Sequence, residues 1–302
     1  MKLPFAPLVL ILLAVALAAL PGCGNIFKPG ATVTAPRPHL VPMAPDPAEL
    51  ARNLYKLQLF YLTEQLGPDD PPNDFWRFLD ETTIPPALRR PLAANGFRLA
   101  AGGDLAIDRL NRVLPQAKGL TVRQSPPIYA RQGYTLDVPL GGPEGDVTIL
   151  LAQPDGSLAG MAFPKAASSL RFTCRAAPEP DACDVTVGQR IVYGAPQPTY
   201  RSMPSGVPLL VNAQPFFVFD DLQTTVRLRG GQIIAVGLQG DRPLSIGEHL
   251  LLARSEMSRQ VTTVILLPEL VAPGAVPAGV NVAGANPPVT AAPGTPGLEK
   301  GP

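Results

Sequence analysis

Proline limits how this chain can fold more than any other residue. The sequence has 38 prolines in 302 residues, against roughly 5% in average usage. Proline has no N–H and a fixed φ, so helix interiors and central strands exclude it. Its densest segments, 23–45 and 271–302, also hold much glycine and alanine. Their composition predicts a tether before the folded part and a disordered Ala/Pro/Gly tail after it.

The first 22 residues have the composition of an export signal. Lys2 precedes an uncharged apolar run that ends in the motif LPGC at residues 20–23. The run is shorter than the ~20 residues of a membrane-spanning helix. The motif resembles the lipobox of bacterial lipoproteins, which implies cleavage after residue 22 and attachment of a diacylglycerol to the Cys23 thiol. The alternatives are cleavage nearby without lipid, or a retained N-terminal anchor helix.

This resemblance implies a location and a first partner. A lipid at Cys23 places the chain in the cell envelope, anchored to a membrane and facing the periplasm or the exterior. Gly24 follows the cysteine, whereas aspartate at that position favours the inner membrane in enterobacterial sorting. We therefore expect the outer membrane.

The charge balance argues against nucleic acid as a partner. The chain has 25 basic and 24 acidic residues, and removal of Lys2 with the signal makes these numbers equal. Nucleic-acid binding depends on clustered lysine and arginine, and the sequence contains no basic run.

Between the two proline-rich segments, the pattern predicts an α+β fold. Residues 46–117 are expected to form a helical N-terminal subdomain, since Asp46 and Pro47 suit a helix start. The apolar residues that follow have helical spacing: Leu50, Leu54, Leu57 and Tyr61. Residues 118–270 contain many short apolar runs separated by turn residues. They predict a mainly antiparallel β sandwich or barrel-like domain.

Several local signals refine this expectation. Asp155–Gly156 between two apolar runs predicts a β-hairpin. Pro91 is expected to break the segment PPALRRPLAANG, and Asn95–Gly96 is expected to close it as a left-handed cap pair. Trp76, the one tryptophan, shares helical spacing with its apolar neighbours and is expected in the core. His249 is expected near the start of a strand.

Cys174 and Cys183 flank a proline-bearing turn between two strand candidates. In an exported protein, this arrangement predicts a disulfide that closes a hairpin. A redox pair would have the closer C-x-x-C spacing, and a zinc site would need more cysteine and histidine ligands.

No motif predicts a catalytic residue, a metal site or a cofactor. Neither His39 nor His249 lies in H-E-x-x-H, and the sequence lacks G-x-S-x-G, G-x-G-x-x-G and Walker A patterns. The acidic pairs Asp69–Asp70, Asp80–Glu81 and Asp220–Asp221 lack the separation of glycosidase carboxylates. A serine paired with His249 stays open, because triad members are remote in sequence.

Two further resemblances concern the folded part. The stretch from Trp76 to Ala100 is similar to exported planctomycete proteins of unknown activity. The segments VRLRGGQIIAVGLQG, SIGEHLLLA and VTTVILLPEL resemble the end of a secretin domain through Gly231, Gln232, Gly237 and Pro268.

Taken together, these features predict a lipid-anchored envelope protein with a non-catalytic structural or protein-interaction role and an envelope protein as partner. One alternative is an envelope hydrolase that acts on glycan or peptide. The other is an accessory or ring subunit of a secretin-like export assembly.

Overall fold

The computed structural model describes residues 54–67, 70, 74–179, 181–202, 208–240, 242–255, 258–272 and 282–283. Strands contain 58% of the described residues and helices 19%. No helix among the described residues is both long and apolar enough to cross a membrane. The described part is therefore mainly β.

The larger sheet has eight strands. Six of them form the continuous path β15-β4-β1-β14-β12-β2, and β3 and β13 each pair with one strand of this path. β3 lies beside β4 along one edge of β1, and β13 lies beside β12 along the far edge of β14. All neighbours are antiparallel except β15 and β4. The strands are β1 (Leu54–Leu66), β2 (Phe97–Gly102), β3 (Leu120–Gln124), β4 (Ile128–Arg131), β12 (Ile233–Leu238), β13 (Leu252–Arg254), β14 (Arg259–Leu270) and β15 (Val282–Ala283).

The smaller sheet has five antiparallel strands in the order β10-β7-β6-β5, and β11 shares with β10 one edge of β7. Its strands are β5 (Thr135–Ala152), β6 (Leu158–Ala176), β7 (Ala182–Val192), β10 (Phe216–Val218) and β11 (Thr224–Arg229). The β5–β6 hairpin turns at Gly156, which has a φ of 86°. The hairpin predicted at Asp155–Gly156 is confirmed.

The remaining elements are short. A separate two-stranded hairpin consists of β8 (Gln197–Ser202) and β9 (Pro208–Ala213). The α-helices are α1 (Pro86–Ala94), α2 (Asp104–Val113) and α3 (Ile246–Leu251). Short 3-10 helices lie at Asp74–Phe78, Glu81–Thr83, Leu114–Gln116 and Asp220–Leu222.

The main core lies between the two sheets. One continuous cluster of buried side chains contains Leu57 and Val264 from the larger sheet and Phe172 and Val187 from the smaller one. A second cluster covers the opposite face of the larger sheet, where Trp76 and Leu110 pack on Ile265. The larger sheet is thus apolar on both faces, whereas the smaller sheet contributes one face to the main core.

The prediction of a helical N-terminal portion is wrong. Residues 54–66 form β1, which pairs with β14 from Tyr55 to Leu66 and with β3 and β4 on its other edge. Because both faces of this sheet are covered, β1 has apolar residues at helical spacing as well as in alternation. Helices do occur at α1 and α2, but residues on both sides of the expected boundary near 118 share this one sheet. Asp46, Pro47 and Leu50 lie outside the described residues.

His249 does not start a strand. It lies in α3, whose first turn is capped by the Ser245 hydroxyl, which accepts a hydrogen bond of 3.1 Å from the Glu248 N–H. The strand β13 follows directly after this helix. A serine cap followed three residues later by glutamate is a helix-start signal that the apolar run HLLLA obscured.

Trp76 belongs to the second core cluster, as predicted, and is 7% exposed. The Arg98 guanidinium lies 4.8 Å from the centre of its ring. A β-carbon at Gly237 would overlap this ring. Gly237 therefore lets the tryptophan lie directly against the backbone of β12.

We predict that Gly237→Ala lowers the free energy of unfolding by roughly 1–3 kcal/mol, because the added methyl displaces Trp76 from a packed core. Urea unfolding measures this loss. Gly160→Ala is the matched control, since Gly160 is also a strand glycine and its nearest neighbour to an added β-carbon is 3.9 Å away. Equal effects of the two substitutions would contradict the packing assigned to Gly237.

Candidate functional site

One concavity among the described residues is a groove of about 970 Å³. We call it the α1 groove. It is bounded by α1, by the turn between β5 and β6, and by β10 with the 3-10 helix that follows. Its lining residues are Pro86, Ala87, Arg90, Pro91, Ala94, Leu151–Gly156, Leu158, Phe217–Leu222 and Arg242.

Prolines shape the first wall. Pro86 begins α1, where its missing N–H costs nothing. The expected break at Pro91 is wrong, since the helix continues through Pro91 to Ala94. Because Pro91 has no N–H, it cannot donate to the carbonyl of Ala87 four residues earlier. Ala87 is exposed and lines this wall, and its carbonyl lacks the usual helical donor.

The second wall is a turn held by its own hydrogen bonds. The Asp155 carboxylate accepts from the N–H and the hydroxyl of Ser157, at 2.9 and 2.7 Å. These bonds lower the pKa of Asp155. The Gln153 N–H donates to the Ser157 carbonyl at 2.9 Å. This wall is a fixed surface with an ionised carboxylate at its rim.

β10, whose residues Phe217 and Val218 line the groove, has an open strand edge. Tyr193 donates to the Pro215 carbonyl and Phe219 donates to the Gln189 carbonyl, so residues 215 and 219 bond toward β7. In an antiparallel pair this direction alternates, so Phe216 and Val218 direct their backbone groups away from β7. No other described residue bonds these groups. Phe217, beside them, packs edge-on against Phe219 with ring centres 4.9 Å apart.

Asn95 connects the first wall to the second. Its side-chain N–H donates to the carbonyls of Pro91 and Ala152, at 3.0 and 3.2 Å, and its side-chain oxygen accepts from the Ala152 N–H at 2.9 Å. Its own carbonyl accepts from Gly247 at 2.9 Å. Asn95 is fully buried. One amide therefore holds α1, the end of β5 and α3 together.

The rim of the groove carries charges of both signs. Arg90, Arg242, Asp155, Asp220 and Asp221 are all exposed. Among the described residues, the lining has no histidine, cysteine, serine, threonine, lysine or tyrosine. An apolar floor with a mixed charged rim suits binding.

The structure does bring a serine to His249. Ser168 Oγ and His249 Nε2 are 2.8 Å apart. Ser168 lies on the buried face of β6 and is 7% exposed. Burial lowers the pKa of His249. The adjacent Glu248 carboxylate accepts instead from the Leu244 N–H at 2.6 Å. The pair lies outside the α1 groove and connects α3 to the smaller sheet.

The expected disulfide is not present, and Cys174 and Cys183 are free buried thiols. The register places Cys174 opposite Val185 and Cys183 opposite Ala176, so the cysteines are diagonal neighbours. Diagonal β-carbons lie farther apart than the 3.5–4.5 Å that a disulfide requires. Burial raises the pKa of both thiols, that of Cys183 to about 11.

The acidic pairs have separate roles. Asp70 accepts from the Gly67 N–H at 2.8 Å. The Asp80 carboxylate accepts from Thr82, which lowers its pKa, and Glu81 pairs with Arg98. Asp220 and Asp221 line the α1 groove. No group of three or more potential metal ligands occurs among the described residues.

Some predicted residues lie elsewhere. Cys23, Asp69 and His39 fall outside the described residues. Of the positions in the secretin resemblance, Gly231 and Gln232 form the turn that connects β11 in one sheet to β12 in the other, and Pro268 is buried in β14. The sequence predicted the β5–β6 turn but not the groove. The prolines of α1 were the one feature of the sequence that could have indicated it.

No model of a known protein family matches the chain, and a search of the curated proteins gives no significant match. Neither comparison assigns it a family or an activity.

We predict that Asn95→Ala lowers the free energy of unfolding by about 2–4 kcal/mol, because the N–H and C=O of the half-buried Ala152 lose the partner that Asn95 supplies. Asn95→Asp keeps the acceptor and loses both donors, so it is destabilising as well. Urea unfolding measures both variants. Gln153→Ala, on the same wall and without a side-chain bond to any described residue, should change stability by less than about 0.5 kcal/mol.

His249 should make stability depend on pH. Its pKa in the folded protein lies below the ordinary value of about 6.5, so the unfolded chain binds the proton more readily. Its contribution is therefore complete above about pH 6.5 and is lost as pH falls through the folded pKa. We expect the free energy of unfolding to fall between about pH 7.5 and pH 5.5, and His249→Gln to remove most of that fall. An unchanged pH slope would contradict this assignment.

Proposed function

We propose that this chain is a lipid-anchored cell-envelope protein that binds an extended segment of a partner protein in the α1 groove, without catalysing a reaction. Cys23 carries the lipid, and the segment that follows it tethers the β-rich part to the membrane. The observation that carries the binding role is the open β10 edge at the floor of an apolar groove.

An unpaired strand edge favours a peptide over a compact small molecule. An extended peptide gains main-chain hydrogen bonds along the edge and places alternate side chains in the groove. The outward backbone groups of Phe216 and Val218 supply that pairing. The Ala87 carbonyl on the opposite wall adds an acceptor for a peptide N–H.

The rim sets the chemistry of the bound segment. Asp155, Asp220 and Asp221 favour basic side chains, while Arg90 and Arg242 favour acidic ones. Phe217, Leu151 and Leu158 favour an apolar side chain between them. A segment with an apolar centre and flanking charges of both signs therefore fits this groove best.

Site-specific photocrosslinking in cells tests the proposal. Benzoylphenylalanine at Ala87 is expected to give one discrete adduct with an envelope protein, recovered in the membrane fraction. The control places the same group at Ala162, an exposed alanine of β6 outside the groove. Adducts of equal yield at both positions, or none at either, would refute groove binding.

Two further variants separate the parts of the proposal. Val218→Pro removes an N–H that bonds no described residue, and proline is tolerated at an outward edge position. It should abolish the Ala87 adduct and leave the melting temperature within a few degrees. Cys23→Ser should move the protein and its adduct out of the membrane fraction. Full membrane retention of Cys23→Ser would refute the lipid anchor alone.

A further inference from the structure

The hairpin β8–β9 exposes large apolar side chains on both of its faces. Tyr200 is 74% exposed, Leu210 55% and Leu209 48%. Tyr200 and Leu210 are direct cross-strand partners and share one face, whereas Leu209 lies opposite Arg201 on the other. The described strands of this hairpin pair only with each other. This apolar surface therefore has no sheet or helix packed over it among the described residues.

Acidic residues are missing from the sequence around the hairpin. From Val185 to Phe219 there is no aspartate or glutamate, and the charged residues are Arg201 and Arg190, which pairs with Asp137 on β5. Carboxylates, which an anionic lipid surface repels, are thus missing from the whole stretch that includes the hairpin. Tyrosine and arginine are residues that suit the headgroup level of a membrane, because an apolar body ends in a polar group.

Strand addition is a poor use of this surface. Pro198 in β8 and Pro208 in β9 have no N–H to donate to an added strand. The α1 groove offers a better edge for a peptide, because the outward backbone groups of Phe216 and Val218 include two N–H donors.

We propose that the β8–β9 hairpin docks on the lipid bilayer and inserts Tyr200, Leu209 and Leu210 at the headgroup–acyl boundary. The outer edges of a two-stranded hairpin keep unpaired backbone groups, which hydrocarbon does not satisfy. Insertion therefore stops at the interface, at a depth of roughly 5–10 Å.

This inference rests on the proposed anchoring at Cys23. Thirty residues lie between Cys23 and Leu54, a contour of at most ~100 Å at ~3.3 Å per residue, so the anchor allows the hairpin to reach the same membrane. Tethering also raises the effective concentration of the hairpin at the bilayer. A patch of three side chains then suffices to orient the protein, although it would bind weakly alone.

Vesicle binding of the processed chain without its lipid tests the hairpin separately from the anchor. The probe is the chain from residue 23 onward with Cys23→Ser, sedimented with vesicles of phosphatidylethanolamine and phosphatidylglycerol. We expect measurable binding, and we expect Tyr200→Ser combined with Leu210→Ser to reduce the partition coefficient at least about tenfold, since each large apolar side chain adds roughly that factor when buried. Leu105→Ser, on α2 and 62% exposed, should leave the partition unchanged.

A fluorescent label gives a second readout if the double variant folds poorly. An environment-sensitive dye on Leu210→Cys should shift to the blue with vesicles, whereas the same dye on Leu105→Cys should not. Cys174 and Cys183 are buried and do not compete for the label. Absence of vesicle binding by the parent chain, or equal shifts at both positions, would overturn the inference. If the double variant keeps its vesicle binding but loses its partner adducts, the hairpin contacts a protein instead of the bilayer. That result would also overturn the inference. The effect of Cys23→Ser on membrane retention in cells is measured separately. If the hairpin does not bind vesicles, the proposed function is therefore unaffected.

Discussion

The side-chain amide of Asn95 supports the part of the structure that forms the groove. β5 ends at Ala152 on the outer edge of its sheet, where its N–H and C=O would otherwise lack a strand neighbour. Asn95 supplies both a donor and an acceptor there and bonds α1 at the same time. Because the residue is fully buried, water cannot replace these bonds. One buried side chain therefore connects the two groove walls.

The next residue extends this arrangement to the larger sheet. Gly96 has a φ of 81°, which glycine adopts without strain, and its carbonyl accepts from the Gln239 N–H just after β12. A β-carbon at Gly247 would overlap the Gly96 backbone. The chain thus passes from α1 to β2 through a contact too close for any side chain. This contact fixes α3 between the two sheets and brings His249 to Ser168.

Local signals in the sequence predicted turns and the burial of single residues. They did not predict features that depend on pairing between strands distant in sequence. The Asp155–Gly156 turn and the burial of Trp76 depend on residues near in sequence, and both predictions are confirmed. β1 was missed because its Leu, Lys, Gln and Glu residues suit a helix, while its partners in β14 lie about 200 residues away. The disulfide prediction failed for a related reason, because the register between β6 and β7, and not the length of the turn, places the two cysteines diagonally. The α1 groove combines residues from 86 to 242, which no single motif could reveal.

The two surfaces assigned to partners are adjacent in the chain. β9 ends at Ala213 and β10 begins at Phe216, so two residues separate the exposed hairpin from the open strand edge. Tyr193, which begins the connection into β8, donates to the Pro215 carbonyl and packs edge-on against Phe163, which in turn contacts Phe217. The base of the hairpin and the floor of the groove therefore share one aromatic cluster. A hairpin held at the membrane interface would fix the orientation of the β10 edge relative to the bilayer, and with it the direction from which a partner segment enters.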